Sequence, residues 1–161
     1  MRQFFVSGLL WFSAIGCGLM AGVYFAFSTF VMTALGRIDQ ASGISAMNAI
    51  NVDIVRSLFM PLFLATTLAS AVLATMALFR LNEPGAIMML AGGVLYVIGM
   101  LVVTMVFNVP LNDALASVDP ASADAASHWA RHQADWTMWN HVRTVASTAA
   151  CALFIAALAA G

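Results

Sequence analysis

Four uninterrupted apolar runs govern what this chain can become. They extend from about Phe4 to Leu35, Leu58 to Phe79, Ala86 to Val109 and Trp136 to Ala160. A helix that crosses a bilayer needs roughly 20 mostly apolar residues, and each run meets that length. Inside lipid every backbone amide must find its partner within the protein, which leaves helices or a closed barrel. Barrel strands alternate polar and apolar residues; these runs do not. Only 8% of the 161 residues are charged, against about 25% in a water-soluble domain. The expected fold is all-α: an integral membrane antiparallel four-helix bundle forming a single domain over residues 1–161.

The first run resembles a secretory signal at its start, where Arg2 precedes apolar residues and "AIGC" follows at 14–17. A cleaved signal has an apolar region of about 7–15 residues. Here the apolar run continues through "GLMAGVYFAFSTFVM", so the reading is an uncleaved first span. Cys17 and Cys151 both fall inside spans without metal-type spacing and read as small core residues. All six basic residues are arginines and the net charge is −1, which gives no basic face for a nucleic acid. With four spans, both termini and the short connection "RLNEPG" share one side. Arg2 and Arg80 make that side richer in arginine per residue, so the positive-inside rule puts the termini in the cytoplasm of a bacterial inner membrane.

Helices in lipid associate through close approach and interhelical hydrogen bonds. Ala14, Gly18, Gly22 and Ala26 recur every four residues and suggest a close-packing stripe; Gly92 and Gly99 offer a second. The remaining apolar faces would meet lipid or a second subunit, making a homo-oligomer. Tyr24 and Ser28, four apart, are placed to turn hydroxyls into the bundle. Between spans one and two, "GISAMNAINVDIVRSLF" carries Ile44, Met47, Ile50, Ile54 and Leu58 at helical spacing and reads as a short interfacial helix. "DPASADAASHWARHQADW" reads as a loop-like, exposed connection in which Ser122 or Asp124 caps a following helix.

Polar residues gather at the membrane face opposite the termini. Asn108 and Asn112 bracket Pro110, whose missing amide frees a carbonyl one turn earlier. Asn48, Asn51 and Arg56 approach from the first long connection. "WTMWNHVRT", residues 136–144, opens the fourth span. On a helical wheel Trp136, Asn140 and Arg143 fall together, with Thr144, Thr137 and His141 following round that side. Ionisable groups at membrane depth normally face protein or a water-filled cavity. Three readings stand: an aromatic belt of Trp129, Trp136 and Trp139, a structural network pairing Arg143 with Asp135, Asp113 or Asp53, or a site. Histidine is the side chain best suited to moving protons near neutral pH, which singles out His141, and Arg143 can hold an anion. His128 and His132, four apart, could join His141 in a metal site, although a solvated pair is the simpler reading.

"GLMAGVYFAFSTFVM", "AMNAINVDIV", "VTMVFNVPLN" and "WTMWNHVRT" stand in this order. Together they resemble the anthrone oxygenase-like family of small four-span membrane proteins, long catalogued as a domain of unknown function. The resemblance covers nearly the whole chain. "FNVPLN" and "WNHVRT" carry it most specifically. His132 departs where an aromatic such as tyrosine is expected, and Thr33 where proline is common. The resemblance implies oxidation of an anthrone to an anthraquinone by molecular oxygen, with no required organic cofactor. Its residues fall on Asn51, Asn108, Pro110, Asn112, Trp136, Trp139, Asn140, His141 and Arg143. In that reading His141 is the general base. Arg143, Asn140, Asn108 and Asn112 steady the enolate oxygen, and Trp136 and Trp139 wall a flat ring, with Asn51 and Tyr24 also in the binding site. The partners are a small apolar substrate, oxygen and membrane lipid. The competing reading is a noncatalytic membrane protein that binds a lipid or quinone, or an accessory subunit.

Overall fold

The computed structural model describes residues 2–160, and every described element is helical. Helix α1 (Arg2–Ala26) runs through a π-helical turn, Phe27–Val31, into the short α2 (Met32–Leu35). Helix α3 (Gln40–Arg56) follows, then α4 (Phe59–Leu78), and α5 (Ala86–Tyr96). Two π-helical segments, Val97–Val102 and Thr104–Asn108, carry α5 into α6 (Val109–Ala116), and α7 (Ala125–Ala160) closes the chain. Four helical stretches are long and apolar enough to cross a membrane: Gln3–Leu35, Phe59–Leu78, Ala86–Ala116 and Ala125–Ala160.

The bundle is a closed square. Helix α1 packs on α7 and α4, and α5 packs on α4 and α7. Its core joins Cys17, Met20 and Tyr24 of α1 with Leu73 of α4, Tyr96 of α5 and Phe154 of α7. A second core sits at the end opposite the termini, where Met32, Ile44, Met47, Leu115, Trp129 and Trp136 meet. That core exists because α3 folds across the bundle end. Asp39 starts α3 by accepting from the Ser42 amide at 2.9 Å, and hydrogen bonds from Ser42 hold its carboxyl below the ordinary carboxylate range. Ser57, in extended backbone, ends it.

Two sequence expectations fail here for geometric reasons. The stripe Ala14, Gly18, Gly22, Ala26 is not the packing face: Gly18 and Gly22 are exposed, and a Cβ at Gly22 would meet nothing within 4 Å. Steps of four drift about 40° per step round a helix of 3.6 residues per turn. The face that is buried instead mixes steps of three and four through Leu10, Ala14, Cys17, Met20 and Tyr24. The second correction concerns the connection before span four. Helix α7 begins at Ala125, about three turns before Trp136, so His132 and Trp129 lie buried on a helix.

Among the described glycines, Gly93 leaves the least room for a side chain against backbone, where α5 crosses α4. A Cβ at Gly93 would stand 2.7 Å from Ala74 Cβ and closer still to the Ser70 carbonyl oxygen. Backbone cannot yield as a flexible side chain can. Gly93→Ala is therefore expected to destabilise the bundle by about 2 kcal/mol through overpacking, read as a lower unfolding temperature in detergent.

Several hydroxyl groups inside the spans are satisfied by the preceding turn, whereas those of Ser13, Thr66, Ser70 and Tyr96 are buried without a partner among the described residues. Thr67 donates to the Phe63 carbonyl at 2.8 Å, and Ser147 to the Arg143 carbonyl at 2.8 Å. This i−4 bonding removes the need for a partner from lipid.

Candidate functional site

The centre of the polar end is Arg143, only 4% exposed. Its guanidinium lies over the Tyr24 ring, 4.3 Å from the centroid, and 5.1 Å from the Trp136 ring. Nη2 donates to Asn140 Oδ1 at 2.7 Å and Nη1 reaches Thr104 Oγ1 at 3.4 Å. Among the described residues no carboxylate pairs with it. Asp135 instead meets Arg131 at 3.4 Å on the surface, and Asp53 and Asp113 are exposed. The expected ion pair is thus replaced by two aromatic faces, which attract a desolvated cation without neutralising it.

Asn140 fixes that arginine and ties α7 to α1. Its Nδ2 donates to the Tyr24 carbonyl and to Ser28 Oγ, each at 2.7 Å. Ser28 Oγ also lies 3.2 Å from Thr144 Oγ1. Ser28 belongs to the first π-helical turn, and Thr104 and Asn108 to the third. Such turns hold one extra residue per turn and often mark functional positions. Here they bring polar side chains toward α7 from two directions. Asn108 Nδ2 donates to the Trp136 carbonyl at 3.2 Å.

Beside Arg143 lies a partly enclosed cavity of about 120 Å3. Tyr24, Asn51, Asn112, Trp136 and Arg143 line it, as do Thr104, Phe27 and Phe59. Helix α3 supplies Met47, Ile50 and Ile54. The wall is largely apolar and aromatic, with Asn51, Thr104, Asn112 and Arg143 as its polar members. An arrangement of this kind offers an apolar group a wall and an anionic group a cation at Arg143.

Of the residues singled out from sequence, Tyr24, Asn51, Asn112, Trp136 and Arg143 meet at the cavity. Asn140 and Asn108 stand behind them, positioning Arg143 and Trp136. Trp139 does not reach it; it stacks on Phe107 with centroids 3.6 Å apart. His141 is not brought to the cavity either. It is exposed on the outer side of α7, because it stands about 100° round the helix from Asn140. A base role within an enclosed cavity does not fit that position. The belt role fails for Trp129 and Trp136, each 5% exposed, since α3 and α6 cover them. The three-histidine alternative also fails: His128 is exposed beside Asp124, His132 is buried, and no group of three metal-type side chains gathers among the described residues. Sequence reasoning missed Thr104, Phe27 and Phe59. Thr104, a hydroxyl in the middle of an apolar run, was the one readable signal.

The fold and the site define a class: an integral membrane four-helix bundle with a buried, arginine-bearing cavity at one end. The family model for anthrone oxygenase matches residues 49–153. The chain belongs to the anthrone oxygenase family and is oxygenase-like at that level. No curated protein and no solved structure matches it. The matched stretch includes Asn51, Thr104, Asn112, Trp136, Asn140 and Arg143, whereas Tyr24 of α1 and Ser28 of the first π-helical turn, which complete the site, precede it.

Proposed function

We propose that the protein oxidises an anthrone-type or similar acidic aromatic ketone with molecular oxygen, holding the substrate as its anion against Arg143. The observation that supports this most directly is a buried guanidinium, open to a cavity, with no carboxylate partner. An uncompensated buried cation is costly, and a bound anion offsets that cost. The cavity takes the oxygen-bearing end of a ring system between Trp136, Phe27 and Phe59, while the rest lies toward Ile54 and the exposed Val55.

Loss of a proton from the carbon between the rings gives a delocalised enolate. Arg143 steadies its oxygen; one such donor is worth roughly 3 kcal/mol. The anion passes one electron to oxygen, and the resulting radical and superoxide combine to form a carbon–oxygen bond. The peroxide takes up a proton. Loss of water, with the remaining hydrogen on that carbon, leaves the quinone. One oxygen atom enters the product and the other leaves as water, so the electron balance calls for no organic cofactor. Both termini face the cytoplasm in this reading, which puts the cavity at the opposite face of a bacterial inner membrane. Lipid supplies both the apolar substrate and oxygen.

The test is oxygen uptake by detergent-purified protein with and without an anthrone. Anthrone-dependent uptake is expected. Identical traces would leave the noncatalytic binding protein as the better reading. His141→Ala is expected to change turnover by less than about twofold, since surface substitutions that touch no site have small effects. A collapse of turnover in that variant would restore His141 as the base.

A further inference from the structure

The cavity contains no histidine or carboxylate among its lining residues, yet the proposed reaction begins with removal of a proton. The groups behind the cavity supply an answer. His132 is 3% exposed and lies between two indoles, with ring centroids 5.8 Å from Trp129 and 6.2 Å from Trp136. Its Nδ1 is 3.2 Å from the Leu111 carbonyl. A carbonyl only accepts, so Nδ1 carries the hydrogen and Nε2 presents a lone pair. Nε2 is buried without a partner.

It has company. Asn108 Oδ1 and Asn112 Oδ1 are buried acceptors without donors, and Asn51 Nδ2, Trp136 Nε1 and Arg143 Nε are buried donors without acceptors. Four of these six residues line the cavity, and the other two adjoin Trp136, which does. Buried polar atoms are satisfied in nearly all proteins, by water where protein does not reach. A buried water takes about three hydrogen bonds from such groups. Three donors and three acceptors, on residues that line or adjoin one cavity, match that requirement.

We infer that enclosed waters bridge these atoms and connect the Arg143 cavity to His132 Nε2, which is the proton acceptor for the substrate. This rests on the function proposed above. The substrate C–H bond breaks, its electron pair stays on the ring system as enolate, and the proton passes through water to Nε2. The same proton returns to the peroxide formed with oxygen. The two indole faces flanking the ring give a cation there only partial compensation for its burial. No other charge competes for it: Arg131 and Asp135 pair outside, His128 lies beside Asp124 at the surface, and Asp39 and Asp53 of α3 and Asp113 of α6 are exposed. Arg37, Arg56 and Asp119 are also exposed. Arg143, beyond Trp136, is the buried charge on this side.

The experiment mixes an anthrone with the full protein under anaerobic conditions, where the bound anion is followed by its visible absorption across pH. Wild type is expected to form the anion near neutrality. His132→Phe keeps the stacking and His132→Gln keeps a polar group, but neither can take the proton. Both are expected to bind the anthrone and form its anion only at a pH about two units higher, with turnover at neutral pH down about a hundredfold. An unchanged pH dependence in a folded His132→Gln protein would overturn the relay while leaving Arg143 as the anion site. No anion and no oxygen uptake in wild type would overturn the function itself, and the relay with it.

Discussion

Arg143→Met protein is expected to lose anthrone turnover by about 10²–10³-fold while unfolding in detergent at the parent temperature or above. The two outcomes have opposite signs for one reason. Arg143 is a desolvated charge without a counter-ion among the described residues. Burial of an ion costs several kcal/mol even after relaxation, and replacing buried charge by well-packed apolar groups is often neutral or stabilising. Against this stand the aromatic contacts at 4.3 and 5.1 Å, worth about 2 kcal/mol when desolvated, and the bond to Asn140. A structural arginine would show the reverse pattern, with stability lost and substrate binding retained. Parallel thermal unfolding and oxygen-uptake measurements therefore separate a site from a lock.

Asn140→Leu is expected to fail in both respects. The change removes two donor bonds to the first span, to the Tyr24 carbonyl and Ser28 Oγ, and the acceptor for Arg143 Nη2. Arg143 would then be buried with one fewer acceptor. We expect about 2–3 kcal/mol of destabilisation, together with a turnover loss because the guanidinium is no longer held over Tyr24. A lower unfolding temperature and weaker anion formation in the same preparation would establish the coupling. An Asn140→Leu protein as stable as the parent would show that the α1–α7 bond contributes nothing net.

The contrast between His141 and His132 shows how far helical spacing carries. Trp129, His132, Trp136, Asn140 and Arg143 fall within about 40° of one line on a helix, and all five are buried. That alignment is present in the sequence. It was obscured because "DPASADAASHWARHQADW" is polar enough to read as a loop, and only the covering helices α3 and α6 make a helix there worth burying. His141 was drawn into the wedge because it is polar and adjacent to Asn140. Spacing gives a residue's direction relative to its neighbours on the same helix, but not how wide an arc the neighbouring helices cover. The glycine stripe of α1 failed in the same way. Strict steps of four wandered off the face that α4 and α7 occupy, whereas the expected Gly92 and Gly99 do meet α7 closely, and Gly93 meets α4.

What the sequence determined by itself is the number of crossings, the helical class and the placing of polar residues at one end. Each follows from the cost of moving a short segment from water into lipid, a sum over neighbours along the chain. What only the tertiary structure decided is which polar groups meet. Arg143 stacks on Tyr24, a residue from the opposite end of the chain, and the cavity closes only when α3 lies across the bundle. Those contacts are set by side-chain shape and by hydrogen bonds between helices far apart in sequence, so no local pattern contains them.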